Sequence, residues 1–130
     1  MGCAIAMASL DEIIDGGAFA NVQKVSPTFQ KRLAAMAHHP MVGEARGVGL
    51  MGALEMVSDK NTKAAFPGYL DVSEQISRQA LRNGLICRPL GQSVVLAPPF
   101  IITEEQIGDL FDILQHTLDE VYAGIHTKAA

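Results

Sequence analysis

This 130-residue chain has no basic run, no long apolar run and no cysteine pair at ligand spacing, and each absence removes a class of function. Its longest basic run is Lys31-Arg32, and ten Lys plus Arg stand against fourteen Asp plus Glu for a net charge of −4. The electrostatic footprint of a nucleic-acid binder is therefore missing. No segment reaches the roughly 20 consecutive apolar residues that a membrane-spanning helix needs. The apolar opening from Met1 to Leu10 has no basic leader and runs straight into Asp11-Glu12, which argues against a signal peptide. Met1-Gly2-Cys3 hints at acylation, but Ala6 stands where that signal wants Ser or Thr. Cys3 and Cys87 are far apart and match no metal-ligand spacing, so reduced thiols and a cytoplasmic location are expected. The expected partner is a small molecule or a protein, with neither nucleic acid nor membrane involved.

A catalytic constellation is also absent. Lys24, Lys31, Lys60, Lys63 and Lys128 fall on a polar helix face, in a loop or in the tail. None occupies the apolar setting that would depress its pKa for Schiff-base chemistry. No Ser-His-Asp or Cys-His arrangement is legible. His38-His39 before Pro40 invites a metal, but adjacent histidines at a helix end point in different directions and no third ligand is near. Solvated helix-end histidines are the expectation. Cys87 reads as a small apolar filler on a strand rather than a thiol activated by Arg88.

Apolar residues make up 48% of the chain, enough at this length to bury about two-thirds of the unfolded surface around one core. Residues 1–130 are read as one globular domain. Cys3, Ile5, Met7, Leu10, Ile13 and Ile14 make an apolar helix that opens without a cap and stops at Gly16-Gly17. A second helix, from about Ala18 to Ala37, carries Phe19, Val22, Val25, Phe29, Leu33 and Met36 at spacings of three and four. Pro27 should kink it, or divide it near Ser26.

Gly47-Val48-Gly49-Leu50-Met51-Gly52 fits the dinucleotide-binding fingerprint letter for letter, and Asp71 lies about where the ribose-binding acid belongs. Its context rejects that reading. The fingerprint must follow a buried strand and open a helix, whereas Val42-Gly43-Glu44-Ala45-Arg46 is mostly polar or small. Leu50, Leu54 and Met56 instead read as one face of a strand, with Gly52 on the same face admitting another backbone. Residues 58–69 are a loop, whose length suggests mobility or a partner contact. Asp71-Val72-Ser73-Glu74 is a capping-box signature for a helix through Ile76 and Ala80, with a left-handed stop at Gly84.

Gly84 to Phe100 sets two apolar runs around a Pro-Leu-Gly-Gln-Ser turn, which predicts a hairpin or neighbouring strands with Arg88 inside it. A guanidinium there is either met by a structural carboxylate or left free to grip one from outside. Thr103-Glu104-Glu105-Gln106 is a second capping box, opening an amphipathic helix through Ile107, Leu110, Phe111, Leu114, Leu118 and Val121, with a frayed tail from Gly124. The expected fold class is α+β, with three or four short, mainly antiparallel strands covered on one face by helices.

Three pieces stand in order: Glu44-Ala45-Arg46-Gly47-Val48-Gly49-Leu50, then Gly84-Leu85-Ile86-Cys87-Arg88, then Val94-Val95-Leu96-Ala97-Pro98-Pro99 with Thr103 opening the last helix. Together they resemble the C-terminal small domain of class III, pyridoxal-phosphate-dependent aminotransferases. The resemblance covers nearly the whole chain. It implies that the opening helix corresponds to the one following the large domain, and that the Schiff-base lysine and the phosphate- and ring-binding residues lie in a large domain this chain lacks.

The chain alone is thus expected to bind no pyridoxal phosphate and to be inactive, a fragment of an enzyme acting on amino and keto acids. Arg88 matches the mobile arginine of the β-alanine or ω-amino acid:pyruvate branch, which binds the substrate carboxylate and swings out to admit an apolar group. In the ornithine-like branch an arginine stands where this chain has Val95. Arg46 is read as structural. The apolar opening helix suggests a homo-oligomer. Two other readings stand beside this one: a non-catalytic ligand-binding or regulatory module, and an interaction or dimerisation module docking through that helix.

Overall fold

The structure, a computed structural model, describes residues 2–127. Helix α1 (Gly2–Ile14) leads through Gly17, at φ +88°, into α2 (Ala18–Ala35) and a 3-10 turn over Met36–His38. Strands β1 (Val42–Val48) and β2 (Met51–Met56), helix α3 (Val72–Arg82), strands β3 (Arg88–Leu90) and β4 (Ser93–Leu96), and helix α4 (Glu104–Thr127) follow. The four strands form one antiparallel sheet in the order β1-β2-β4-β3. This is the expected α+β fold. Helices α2, α3 and α4 cover one face of the sheet.

Alternation decides which side of each strand is buried. Gly52, Leu54 and Met56 of β2 and Val94 and Leu96 of β4 face the helices and are buried. They meet Val25, Phe29 and Leu33 of α2, Ile76 and Ala80 of α3, and Ile107, Phe111, Leu114 and Leu118 of α4 in one core. Phe29 and Phe111 touch edge to face at 5.2 Å between centroids.

The glycines of the false fingerprint acquire a structural meaning here. Gly47 and Gly52 pair across β1 and β2, and a Cβ on Gly47 would lie 2.4 Å from the Met51 carbonyl oxygen and 2.7 Å from Leu33 Cδ2. A Cβ on Gly52 would lie 2.8 Å from the same Leu33 carbon. The pair is a flat seat for α2. Gly49, at φ +59°, turns the hairpin in the left-handed region that glycine tolerates, and Gln30 Nε2 of α2 donates to its carbonyl at 2.8 Å. A strand–turn–strand replaces the strand–loop–helix that a dinucleotide site requires.

Several expectations are corrected. Asp71 sits at φ 45°, ψ 49° and makes no side-chain cap to α3, because the 3-10 turn over Gly68–Leu70 delivers the chain to it in a left-handed conformation. The other box forms reciprocally: Thr103 N–H donates to Gln106 Oε1 at 3.0 Å and Gln106 N–H to Thr103 Oγ1 at 3.2 Å. Helix α2 passes through Pro27 as one element rather than dividing near Ser26. Phe19, counted in its apolar stripe, is 54% exposed. Helix α4 continues through Gly124 instead of fraying there. Gly84 does stop α3, at φ +92°, with Leu85 N–H bonded to Ala80 O and Gly84 N–H to Leu81 O.

His39 departs furthest from expectation. His38 is solvated, but His39 is buried, its Nδ1 accepting the Met41 N–H at 3.2 Å and its ring edge-on to Tyr122. Nε2 stands 3.3 Å from Asp119 Oδ1, without the alignment of a good hydrogen bond. Burial lowers the His39 pKa, Asp119 pulling the other way and Lys60 adding to the fall. Asp119 is itself mostly in water, so screening leaves burial dominant.

Three outcomes follow from this packing. Gly47→Ala should destabilise the chain by roughly 1–3 kcal/mol in urea melts, because the clashing atom is a backbone oxygen with nowhere to go. Gly68→Ala, where nothing lies within 4 Å, should change stability by less than about 0.5 kcal/mol. For His39, the folded pKa lies below the unfolded value of 6.5, so the unfolded chain takes up more protons across that interval and stability rises with pH. The contribution is present above the unfolded pKa and lost as pH falls through the folded one. Urea midpoints taken from neutral pH downward should show this step in the wild type and not in His39→Gln.

Candidate functional site

The face of the sheet turned away from the helices is open among the described residues. Strict pairing places Arg46, Ala53, Val95 and Arg88 in a single row across it, through Arg46↔Ala53, Ala53↔Val95 and Arg88↔Val95. Paired residues share a face, so the two arginines stand at opposite edges, roughly 14 Å apart at three strand spacings. Between them Ala53 and Val95 form a low apolar floor. A depression of about 320 Å³ opens there, lined by Arg46, Val48, Met51, Ala53 and Val95 among others.

The arginines differ in their surroundings. Arg46 Nη2 donates to Glu55 Oε2 at 3.2 Å, and Nη1 lies 3.7 Å from Glu44 Oε2. Glu55 also accepts from Ser93 Oγ at 2.6 Å, and that bond, then Arg46, holds its carboxyl below the usual range. Sequence reasoning passed over Glu55 and Ser93. The available signal was alternation in Met51–Met56, which puts Glu55 opposite Leu54 and Met56.

Arg88 is exposed, and its side chain has no hydrogen-bond or ion-pair partner among the described residues. It is held from behind by the hairpin expected for this stretch: β3 turns at Gly91, φ +59°, into β4. Pro89 lacks an N–H and sits safely in β3 because that strand is at the sheet edge. Cys87 points the other way and is buried, its thiol pKa raised by burial and partly offset by Ser77. It is the apolar filler expected of it.

Beside the hairpin lies an apolar cavity of about 490 Å³, walled by Leu85, Ile86, Leu96, Pro98, Pro99 and Leu110 among others. Helix α1 buries none of its residues, leaving Ile5, Met7, Leu10 and Ile14 at least half exposed.

The sequence matches the family described as aminotransferase class-III over residues 1–118. The chain belongs to the class III aminotransferases. Among curated members it is similar to putrescine–pyruvate aminotransferase of Pseudomonas aeruginosa, at 38% identity over 78% of this chain and 22% of that protein. It also resembles diaminobutyrate–2-oxoglutarate transaminase of Halomonas elongata, at 36% over 100% of this chain and 28% of that one. The chain thus spans about a quarter of the length of these class III relatives.

Solved structures similar to this chain follow the same path. The omega-transferase of Vibrio fluvialis JS17 superposes with a TM-score of 0.92 at 50% identity, covering 96% of this chain and 29% of that one. The PMP-bound aminotransferase from the same organism gives 0.89 at 51%, over 94% of this chain and 27% of that one.

Pyridoxal phosphate serves this family, so the residues present can be tested against it. The described lysines are all exposed, and Lys60, the one beside a groove, donates its ammonium to the carbonyls of Ala37 and His39. None could form the covalent link from an enclosed site; Lys128 lies outside the described residues. The described residues of this chain do not fit the cofactor by themselves. Among them no three His, Cys, Asp or Glu side chains gather as a metal site either.

Proposed function

We propose that this chain is the C-terminal small domain of a class III transaminase of the ω-amino acid:pyruvate type, and that Arg88 binds the substrate carboxylate. The observation that carries this reading is the contrast across one row of the open face. Arg46 has its charge met by Glu55 and Glu44, whereas Arg88 has no partner among the described residues. An unneutralised guanidinium at a strand edge attracts a carboxylate, and its planar fork can hold both oxygens at once. Its long apolar stem lets the head withdraw into water when the incoming group is apolar. The similarity to the Vibrio fluvialis omega-transferase and to an omega-aminotransferase from Paracoccus denitrificans, at 50% and 48% identity, supports the branch.

In this reading the large domain brings the cofactor, which supplies the amino-group chemistry when bound. This chain contributes selection by charge and a low apolar floor at Ala53 and Val95. Alone it forms no stable adduct with pyridoxal phosphate and does not transaminate. The exposed apolar side of α1 supports oligomeric assembly of the enzyme, and it is also the specific feature favouring a non-catalytic interface module.

The reading is tested in a full-length class III transaminase carrying this chain. Arg88→Ala should lower kcat/KM for carboxylate-bearing donors and acceptors by on the order of 2–5 kcal/mol, roughly 30- to several-thousand-fold, while half-reactions with simple amines are spared. Arg88→Lys should recover little, since a point charge does not reproduce the fork. Equal losses for amines and amino acids, with a lower melting temperature, would assign Arg88 to holding the strand pair.

A further inference from the structure

Strand β3 is three residues long and lies at the edge of the sheet, with β4 on one side and, among the described residues, no strand on the other. Such a strand is a poor mount for a side chain that must move while its own backbone stays still. Helix α3 supplies what a fifth strand would have supplied. Ser73 Oγ donates to the Gly91 carbonyl at 2.6 Å, just past the end of β3, and Ser77 Oγ donates to the Cys87 carbonyl at 2.9 Å, just before its start. The two serines are four residues apart, one helical turn, so both hydroxyls leave the same side of α3. Their acceptors bracket Arg88, Pro89 and Leu90.

Ser73 is 3% exposed. Ser77 lies in the interior of α3, where a serine is neutral to unfavourable for the helix unless its hydroxyl is used elsewhere, and here it reaches across to the Cys87 carbonyl just before β3. Both contacts are on the backbone, on the helix-facing side of the hairpin, so neither restrains the Arg88 side chain on the open face.

We propose that Ser73 and Ser77 are positioning residues for carboxylate selection: a two-point clamp from α3 that fixes the Arg88 backbone so that the guanidinium alone swings. This rests on the reading of Arg88 as the carboxylate-binding residue. Without the clamp, the edge strand shifts and the fork meets the carboxylate off its two-pronged geometry, which weakens carboxylate binding and leaves amines unaffected.

The test has two arms. In this chain, amide hydrogen exchange is followed at Val95, whose strand position pairs with Arg88, and at Leu114 in α4. Ser77→Ala and Ser73→Ala/Ser77→Ala should speed exchange at Val95 about tenfold or more, with Leu114 unchanged. In a full-length transaminase carrying this chain, Ser77→Ala should raise KM for a carboxylate-bearing donor about tenfold with kcat nearly kept, and should not move KM for a simple amine. Ser77→Thr, which keeps the hydroxyl, should restore both readouts.

Unchanged exchange at Val95, or an equal rise in KM for amines and amino acids, overturns the clamp while Arg88→Ala still separates the two substrate classes. If Arg88→Ala itself fails to separate them, the reading of Arg88 has failed and the positioning role falls with it, even where Val95 exchange responds.

Discussion

The seat of Phe29 and Leu33 on the Gly47–Gly52 pair decides which face of the sheet is buried. With no Cβ on either strand at that point, α2 comes close enough for Leu33 to occupy the space a side chain would have taken. A slip of one residue in β2 would put Glu55 under the helix and Leu54 in water, and a slip in β1 would put Arg46 under the helix, so the seat and the alternation of β2 enforce the same register. The chemistry of the open face follows from that register. Glu44, Arg46, Glu55, Ser93, Val95 and Arg88 share it because each is out of phase with the core.

On that face the charges are arranged unevenly. The contacts of Arg46 with Glu44 and Glu55 are half exposed and add little to stability, at most about 1 kcal/mol for each such pair. Their effect is to cancel charge at one edge while Arg88 keeps its own at the other. Among the described residues, a face of balanced formal charge thereby presents one available cation. In the proposed reading of Arg88, that asymmetry bears more on selectivity than any count of ion pairs would suggest.

What could be read from the residues alone was whatever is settled within a few positions. The Thr103–Gln106 box, the Gly84 stop and the hairpin around Gly91 each depend on neighbours within six residues, and each was legible. Asp71 carries the same letters as a working cap, but the 3-10 turn ahead of it sets its backbone before its side chain can act. His39 was misread as solvated because its surroundings come from Asp119 and Tyr122, some eighty residues on. Strand β1 was obscured because an edge strand with one open face alternates polar with small residues and shows no apolar run. The position of Arg88 followed from the family resemblance, whereas its lack of a partner needed the sheet register to become visible.

The proposed carboxylate selection requires Arg88 to be unrestrained where Arg46 is held, and nitrogen-15 relaxation of the arginine Nε–Hε groups in this chain reads that difference directly. The expected result is a low order parameter for Arg88, below about 0.6, with Arg46 clearly more ordered and the Val95 amide at the rigid-backbone value near 0.85. An Arg88 side chain as ordered as that of Arg46 in the absence of any carboxylate would contradict it, since the guanidinium would then already have a partner.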